Sequence, residues 1–153
     1  MPDTSCGFIT SELLTLNGPT LLVDIGFDSS FRPGGSKPIA GISGVQALVD
    51  TGATECCIDN LLAASLNLPI VDRKPISGVD GRIIANIYLA QIHVPSLRFT
   101  MYGQFAGVDL LAGGQSHSAL MGRTFLRYLR MAYDGLSGAV TLTYTPPPPV
   151  SKP

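Results

Sequence analysis

Charge is scarce in this chain. Only 14% of its 153 residues are charged, the formal net charge is −1, and no run of Lys or Arg occurs. The basic footprint that neutralises phosphates is therefore missing, and nucleic acid is not an expected partner. Long apolar runs are lacking too: none reaches the roughly 20 residues that span a bilayer. The opening MPDTSCGFIT has no basic segment leading into an apolar one, so no export signal is read there. The expectation is a cytoplasmic protein with no membrane partner. Cysteine is limited to Cys6, Cys56 and Cys57, an odd number with two of them adjacent. That pattern builds neither a disulfide framework nor a metal-ligand spacing, and it suits a reducing compartment. His93 and His117 stand alone, far apart in sequence. No metal and no cofactor are expected.

What the chain has in quantity is apolar residues, at 45%, together with 17 Gly and 12 Pro. That balance predicts a turn-rich globular β protein with one core, and argues against disorder. GPTLLVDIGF, from Gly18, predicts a strand, and DSSFRPGGSKPIAGISG, from Asp28 to Gly44, a long loop. VQALVD is a short apolar strand that TGA breaks. In IDNLLAASLNLP, Asp59 or Asn60 is placed to cap a helix of about two turns, with Pro69 beyond its end. The segment from Val71 to Phe105 is the longest β-like region, with SGVDG, Ser77 to Gly81, as the tip of a hairpin. From Val108, VDLLAGGQSHSALMGRTFLRYLRMAY predicts a strand, a loop at AGGQSHS, a short strand into Gly122 and an amphipathic helix over RTFLRYLR. SGAVTLTY is a closing strand. Three parts follow: an N-terminal segment over 1–17, a domain over 18–144, and a proline-rich tail, TPPPPVSKP, over 145–153.

The stretch ALVDTGATECCIDN drives an apolar strand straight at Asp50, a costly place for an ionised carboxylate unless it has partners. Asp50-Thr51-Gly52 alone reads equally as a strand-ending turn. The order of motifs is more specific: an apolar strand into D-T-G-A, a glycine-bearing hairpin, then Leu120 and Met121 before Gly122 some seventy positions later. This order resembles the retropepsin-like aspartic protease family, which includes retroviral proteases and single-domain bacterial relatives, over roughly Gly18 to Tyr144. The resemblance implies an all-β fold, a closed barrel with one or two short helices that functions as a homodimer.

It also implies a homodimeric aspartic endopeptidase acting on peptide or protein substrates. Two such aspartates meet around one water. Like charges about 3 Å apart cannot both ionise, so the pair holds one proton and divides base and acid roles. The resemblance assigns the acid to Asp50, a bracing hydroxyl to Thr51, and an unobstructed amide to Gly52. Ala53 becomes part of the substrate wall, and Ser77, Gly78, Val79, Asp80 and Gly81 become a mobile flap over the peptide. Leu120, Met121 and Gly122 pack behind the catalytic loop, and Arg123 follows them. No other aspartate here precedes Thr-Gly or Ser-Gly, so a second copy must supply the other acid. Two positions depart from the family pattern. Thr54 stands where many retroviral members carry an acid for the arginine to pair with, and the prolines after Tyr144 are unsuited to an interleaved terminal strand. A binding or dimerisation module of the same fold with weak or absent turnover stays open as the alternative. So does a protease cut from a longer precursor.

Overall fold

A computed structural model describes residues 3–33, 41–78 and 81–144. The chain runs through β1 (Asp3–Ser5), α1 (Ser11–Asn17), β2 (Thr20–Gly26), β3 (Gly41–Val49), β4 (Cys57–Asp59) and α2 (Asn60–Ser65). It continues with β5 (Ile70–Gly78), β6 (Gly81–Val94), a 3₁₀ turn (Pro95–Leu97), β7 (Phe99–Val108), β8 (Ala119–Met121), α3 (Arg123–Leu126), β9 (Leu129–Tyr133) and β10 (Val140–Tyr144). The larger sheet is ordered β2-β3-β8-β4-β7-β6-β5, and β6 also pairs with β2. Six strands thus close on themselves, which leaves no open edge in the ring. The expected all-β closed barrel is present.

Alternation explains the closure. Leu21, Val23 and Ile25 of β2, Ala47 and Val49 of β3, and Ala90, Ile92 and Val94 of β6 point into one core and are fully or almost fully buried. A bulge in β2 between Val23 and Ile25 lets that strand turn from β3 towards β6. At 14 residues, β6 outruns the barrel. Gly81 to Ile84 are exposed, and the buried positions begin at Ala85. With β5 beside them they form a hairpin that stands clear of the core.

A second sheet, ordered β1-β10-β9, closes the base. Val140 and Leu142 of β10 are fully buried, as is Phe125 of α3, whose ring lies 5.9 Å from that of Phe99. Two elements precede Gly18 where no pattern announces them. Thr10 caps α1 by accepting the Leu13 N–H at 3.1 Å, Leu14 is buried, and Gly18 ends the helix at φ +70 with its N–H on the Leu14 carbonyl. No helix among the described residues is long and apolar enough to cross a membrane.

Three expectations from the sequence need correction. RTFLRYLR is not one helix: α3 stops at Leu126, and Leu129 begins β9, because pairing with β10 from Leu129 to Tyr133 replaces further helical bonds. The loop expected over 28–44 ends early. Gly41 to Gly44 belong to β3, where the Gly44 N–H donates to the Asp24 carboxylate at 3.0 Å. The strand expected at VDLL ends at Val108, because the Leu110 and Leu111 amides turn towards the Asp59 carboxylate. Val79, Asp80 and the tail over 145–153 lie outside the described residues.

Candidate active site

β3 delivers the site. It runs between β2 and β8, antiparallel to one and parallel to the other, so its end is held from both sides. Val49 donates to the Pro19 carbonyl at 2.8 Å and Asp50 to the Met121 carbonyl at 3.0 Å. The chain then turns. The Ala53 N–H donates to the Asp50 carbonyl at 3.3 Å, and the Gly52 N–H donates to Asp50 Oδ1 at 2.8 Å. A Cβ on Gly52 would sit 3.1 Å from that oxygen, so the carboxylate would have to give way slightly. Asp50 and Ala53 are half-buried, whereas Thr51 and Gly52 face outward. Among the described residues the Thr51 hydroxyl makes no hydrogen bond, so it is presented rather than used within the chain.

The segment after β8 braces this turn. Arg123 N–H donates to the Ala53 carbonyl at 2.9 Å, and Thr124 N–H to that of Thr54 at 3.0 Å. The Arg123 guanidinium donates to the Thr51 carbonyl at 2.7 Å and to the Thr54 hydroxyl at 2.9 Å. Gly122 is buried against the carbonyls of Ala53 and Glu55, where any Cβ would collide. Met121 is fully buried and Leu120 half-buried. Asp50 to Ala53 and Leu120 to Arg123 are therefore brought together.

Ser77, Gly78 and Gly81 lie elsewhere, at the end of the projecting hairpin. Gly78 faces Gly81 across the strands, and Gly81 adopts φ +100, a backbone conformation that favours glycine. All three are exposed, and no hydrogen bond among the described residues ties them to the 50–54 turn.

The sequence marks Asp59 or Asn60 as a helix cap, and the cap is Asp59; the other contacts of this cluster escape the sequence reading. The Asp59 carboxylate is fully buried. One oxygen accepts the Leu62 N–H at 3.1 Å as the α2 cap, and the other accepts the Leu110 and Leu111 N–H groups at 2.9 and 3.0 Å. It pins the loop between β7 and β8 to the strand that leaves the D-T-G turn. Beside it, the Tyr88 hydroxyl donates to Asn60 Oδ1 at 2.8 Å, and Asn60 Nδ2 donates to Asp109 at 2.8 Å. Gly107 leaves room for that amide. Partners 28 to 52 positions apart in sequence give no local signal of such contacts. The thiols are quiet: burial pushes Cys6 and Cys57 up to about 11, with Cys56, Glu55 and Asp50 adding to the rise at Cys57, and burial also raises Cys56.

A strand-end aspartate in a D-T-G-A turn, braced by a buried glycine, coincides with a family match: the aspartyl protease family model covers residues 38–125. The chain belongs to the aspartyl protease family. Among solved structures it is similar to the EIAV protease complexed with an inhibitor, at 17% identity and a TM-score of 0.48, over 71% of this chain and 85% of that one. No curated protein matches it in sequence.

Proposed function

We propose that this aspartyl protease family member is a homodimeric endopeptidase in which Asp50 from each of two copies forms the acid pair. The observation that carries the reading is a braced D-T-G turn with a half-buried carboxylate at Asp50 and an exposed Thr51 whose hydroxyl makes no hydrogen bond among the described residues. Within one chain, the Asp50 carboxylate accepts only the Gly52 amide, and no second carboxylate hydrogen-bonds to it, among the described residues. A lone carboxylate supplies a base but no acid for the scissile carbonyl. Two of them around one water, sharing one proton, supply both. The water attacks the carbonyl carbon as one carboxylate takes its proton and the other carboxyl gives its own to the carbonyl oxygen. As the C–N bond breaks, the first passes the proton it took to the leaving amine and the second takes back a hydroxyl proton of the tetrahedral diol, which restores the pair with its one proton. On this reading the Thr51 hydroxyl of each copy bonds across the twofold.

The substrate on this reading is an extended peptide. The hairpin that carries the exposed Ser77, Gly78 and Gly81 acts as the flap, pairing by its backbone with the peptide and excluding water, while Ala53 lines the wall beneath. Asp50→Asn tests the reading: it keeps size and shape and removes the titrating group. The variant should match the wild-type thermal transition and circular dichroism spectrum, while cleavage of an unstructured protein substrate falls by about 10³-fold or more. Cleavage retained at the wild-type rate refutes it.

A further inference from the structure

Alternation along β3 fixes what lies beside Asp50. Ala47 and Val49 are buried in the core, so Leu48 and Asp50 point away from it. Directly paired residues share a face of a sheet. Leu48 pairs with Leu120, Leu120 with Cys57, Cys57 with Ala106 and Ala106 with Ile87. A row of uncharged side chains therefore runs from the strand of Asp50 across β8, β4 and β7 to β6, where the projecting hairpin begins. Leu48, Leu120, Cys57 and Ala106 are half-buried rather than sealed, so the row is open from outside.

Glu55 stands at the margin of this row. It is exposed, its carbonyl accepts from the Cys57 thiol at 3.8 Å, and its carboxylate makes no hydrogen bond or ion pair among the described residues. The Cys57 thiol, raised chiefly by burial, also feels the charges of Glu55 and Asp50, which sets both acids beside the row. The cations nearby have other partners. Arg123 donates to the Thr51 carbonyl and the Thr54 hydroxyl. Lys74 lies opposite Ala85 and so shares the face of Ile87, but it pairs with Asp72 at 3.7 Å.

We infer that Glu55 selects the substrate: it favours peptides that carry a lysine or arginine close to a scissile bond with apolar neighbours. This rests on the endopeptidase reading above and deepens it by naming the substrate class. The uncharged row receives the apolar side chains, and the Glu55 carboxylate receives the ammonium or guanidinium beyond them. An exposed ion pair is weak in water, but a peptide lying along the row, under the hairpin, displaces that water and strengthens the attraction. Five residues of chain lead from Asp50 to Glu55, a span of at most about 17 Å, so the basic residue falls within about five extended positions of the bond. Each copy of a twofold pair brings one Glu55. The preference therefore applies on the amino and the carboxyl side of the bond alike.

Profiling of the new termini that the protein generates in a denatured cellular protein mixture tests the selection. Around the bonds cut by the wild type, Lys and Arg should be enriched on both sides. Glu55→Gln should remove that enrichment, and Glu55→Lys should replace it with Asp and Glu. Two synthetic peptides built on the site cut best, one with its lysine and one with norleucine in that place, give the magnitude. The wild type should prefer the lysine peptide about tenfold in kcat/KM, and E55Q should cut the two equally. A wild type that cuts both peptides equally, or an E55Q variant that keeps the preference, overturns Glu55 as the selector and leaves the acid pair standing. If E55Q misfolds by circular dichroism, the profile of E55K and the wild-type peptide ratio decide. A wild type that cuts no protein or peptide overturns the endopeptidase reading and the selection with it.

Discussion

Arg123 takes on a different partner from the acid that the family pattern places after D-T-G-A. Its fork divides between the Thr51 carbonyl and the Thr54 hydroxyl, so the turn is held by a bond to backbone and a bond to a neutral side chain. A planar five-donor group can reach both at once, whereas an ammonium is a point charge on a flexible stem. Arg123→Lys should therefore lower kcat about tenfold, about 1.4 kcal/mol of transition-state free energy, with the thermal midpoint nearly unchanged because the side chain is exposed. Steady-state kinetics beside a melting curve check this; an unchanged kcat shows that the fork does not position the loop. Asp50 and Gly52 are legible in the sequence because each answers a backbone demand within the turn itself, whereas Gly122, which lies against the carbonyls of Ala53 and Glu55, is legible only through the resemblance of motifs. The Thr54 partnership is not, since it joins positions 69 apart, and a threonine there announces nothing.

At the scale of elements, Asp59 joins α2 to the loop after β7. The sequence marks it as a helix cap because cap, apolar spacing and Pro69 sit within a dozen residues. The second half of its task, accepting from Leu110 and Leu111, depends on β4 lying beside β7 in the ring, with Asp59 opposite Val108. Asp59→Ala removes the cap and leaves buried amide donors without an acceptor, a cost of about 2 to 4 kcal/mol when the two effects are combined. Urea unfolding measures it; a loss under 1 kcal/mol would mean that water replaces the carboxylate. The same dependence on neighbours explains the misread segment after Gly122. RTFLRYLR has the spacing of an amphipathic helix, but β10, arriving later in the chain, offers a strand partner from Leu129 onward. Packing overrides so weak a local preference.

For the molecule as a whole, closing the barrel buries groups that titrate. His117 is buried with its Nε2 2.9 Å from the Thr20 hydroxyl, and desolvation lowers its pKa below the usual 6.5. The unfolded chain takes up this proton as pH falls through about 6.5, while the folded chain resists it until lower pH. The stability this residue confers is therefore present above about 6.5 and lost as pH falls through the interval down to the lowered folded value. His117→Asn should flatten the fall in urea midpoint between pH 7.5 and 5.5 relative to the wild type. An identical slope in both proteins would show that other groups set it.

Read on its own, the amino-acid order dictates the apolar strand, the D-T-G turn and the presence of just one such turn. These are local demands of backbone geometry and burial, written in adjacent residues. The meeting of distant segments is what closes six strands into a ring, sets Gly122 against the carbonyls of Ala53 and Glu55, lets Arg123 hold Thr51 and Thr54, and gives Asp59 two elements to serve. Each of those depends on which strands become neighbours, and neighbourhood is set by the fit of the whole core rather than by any window along the chain.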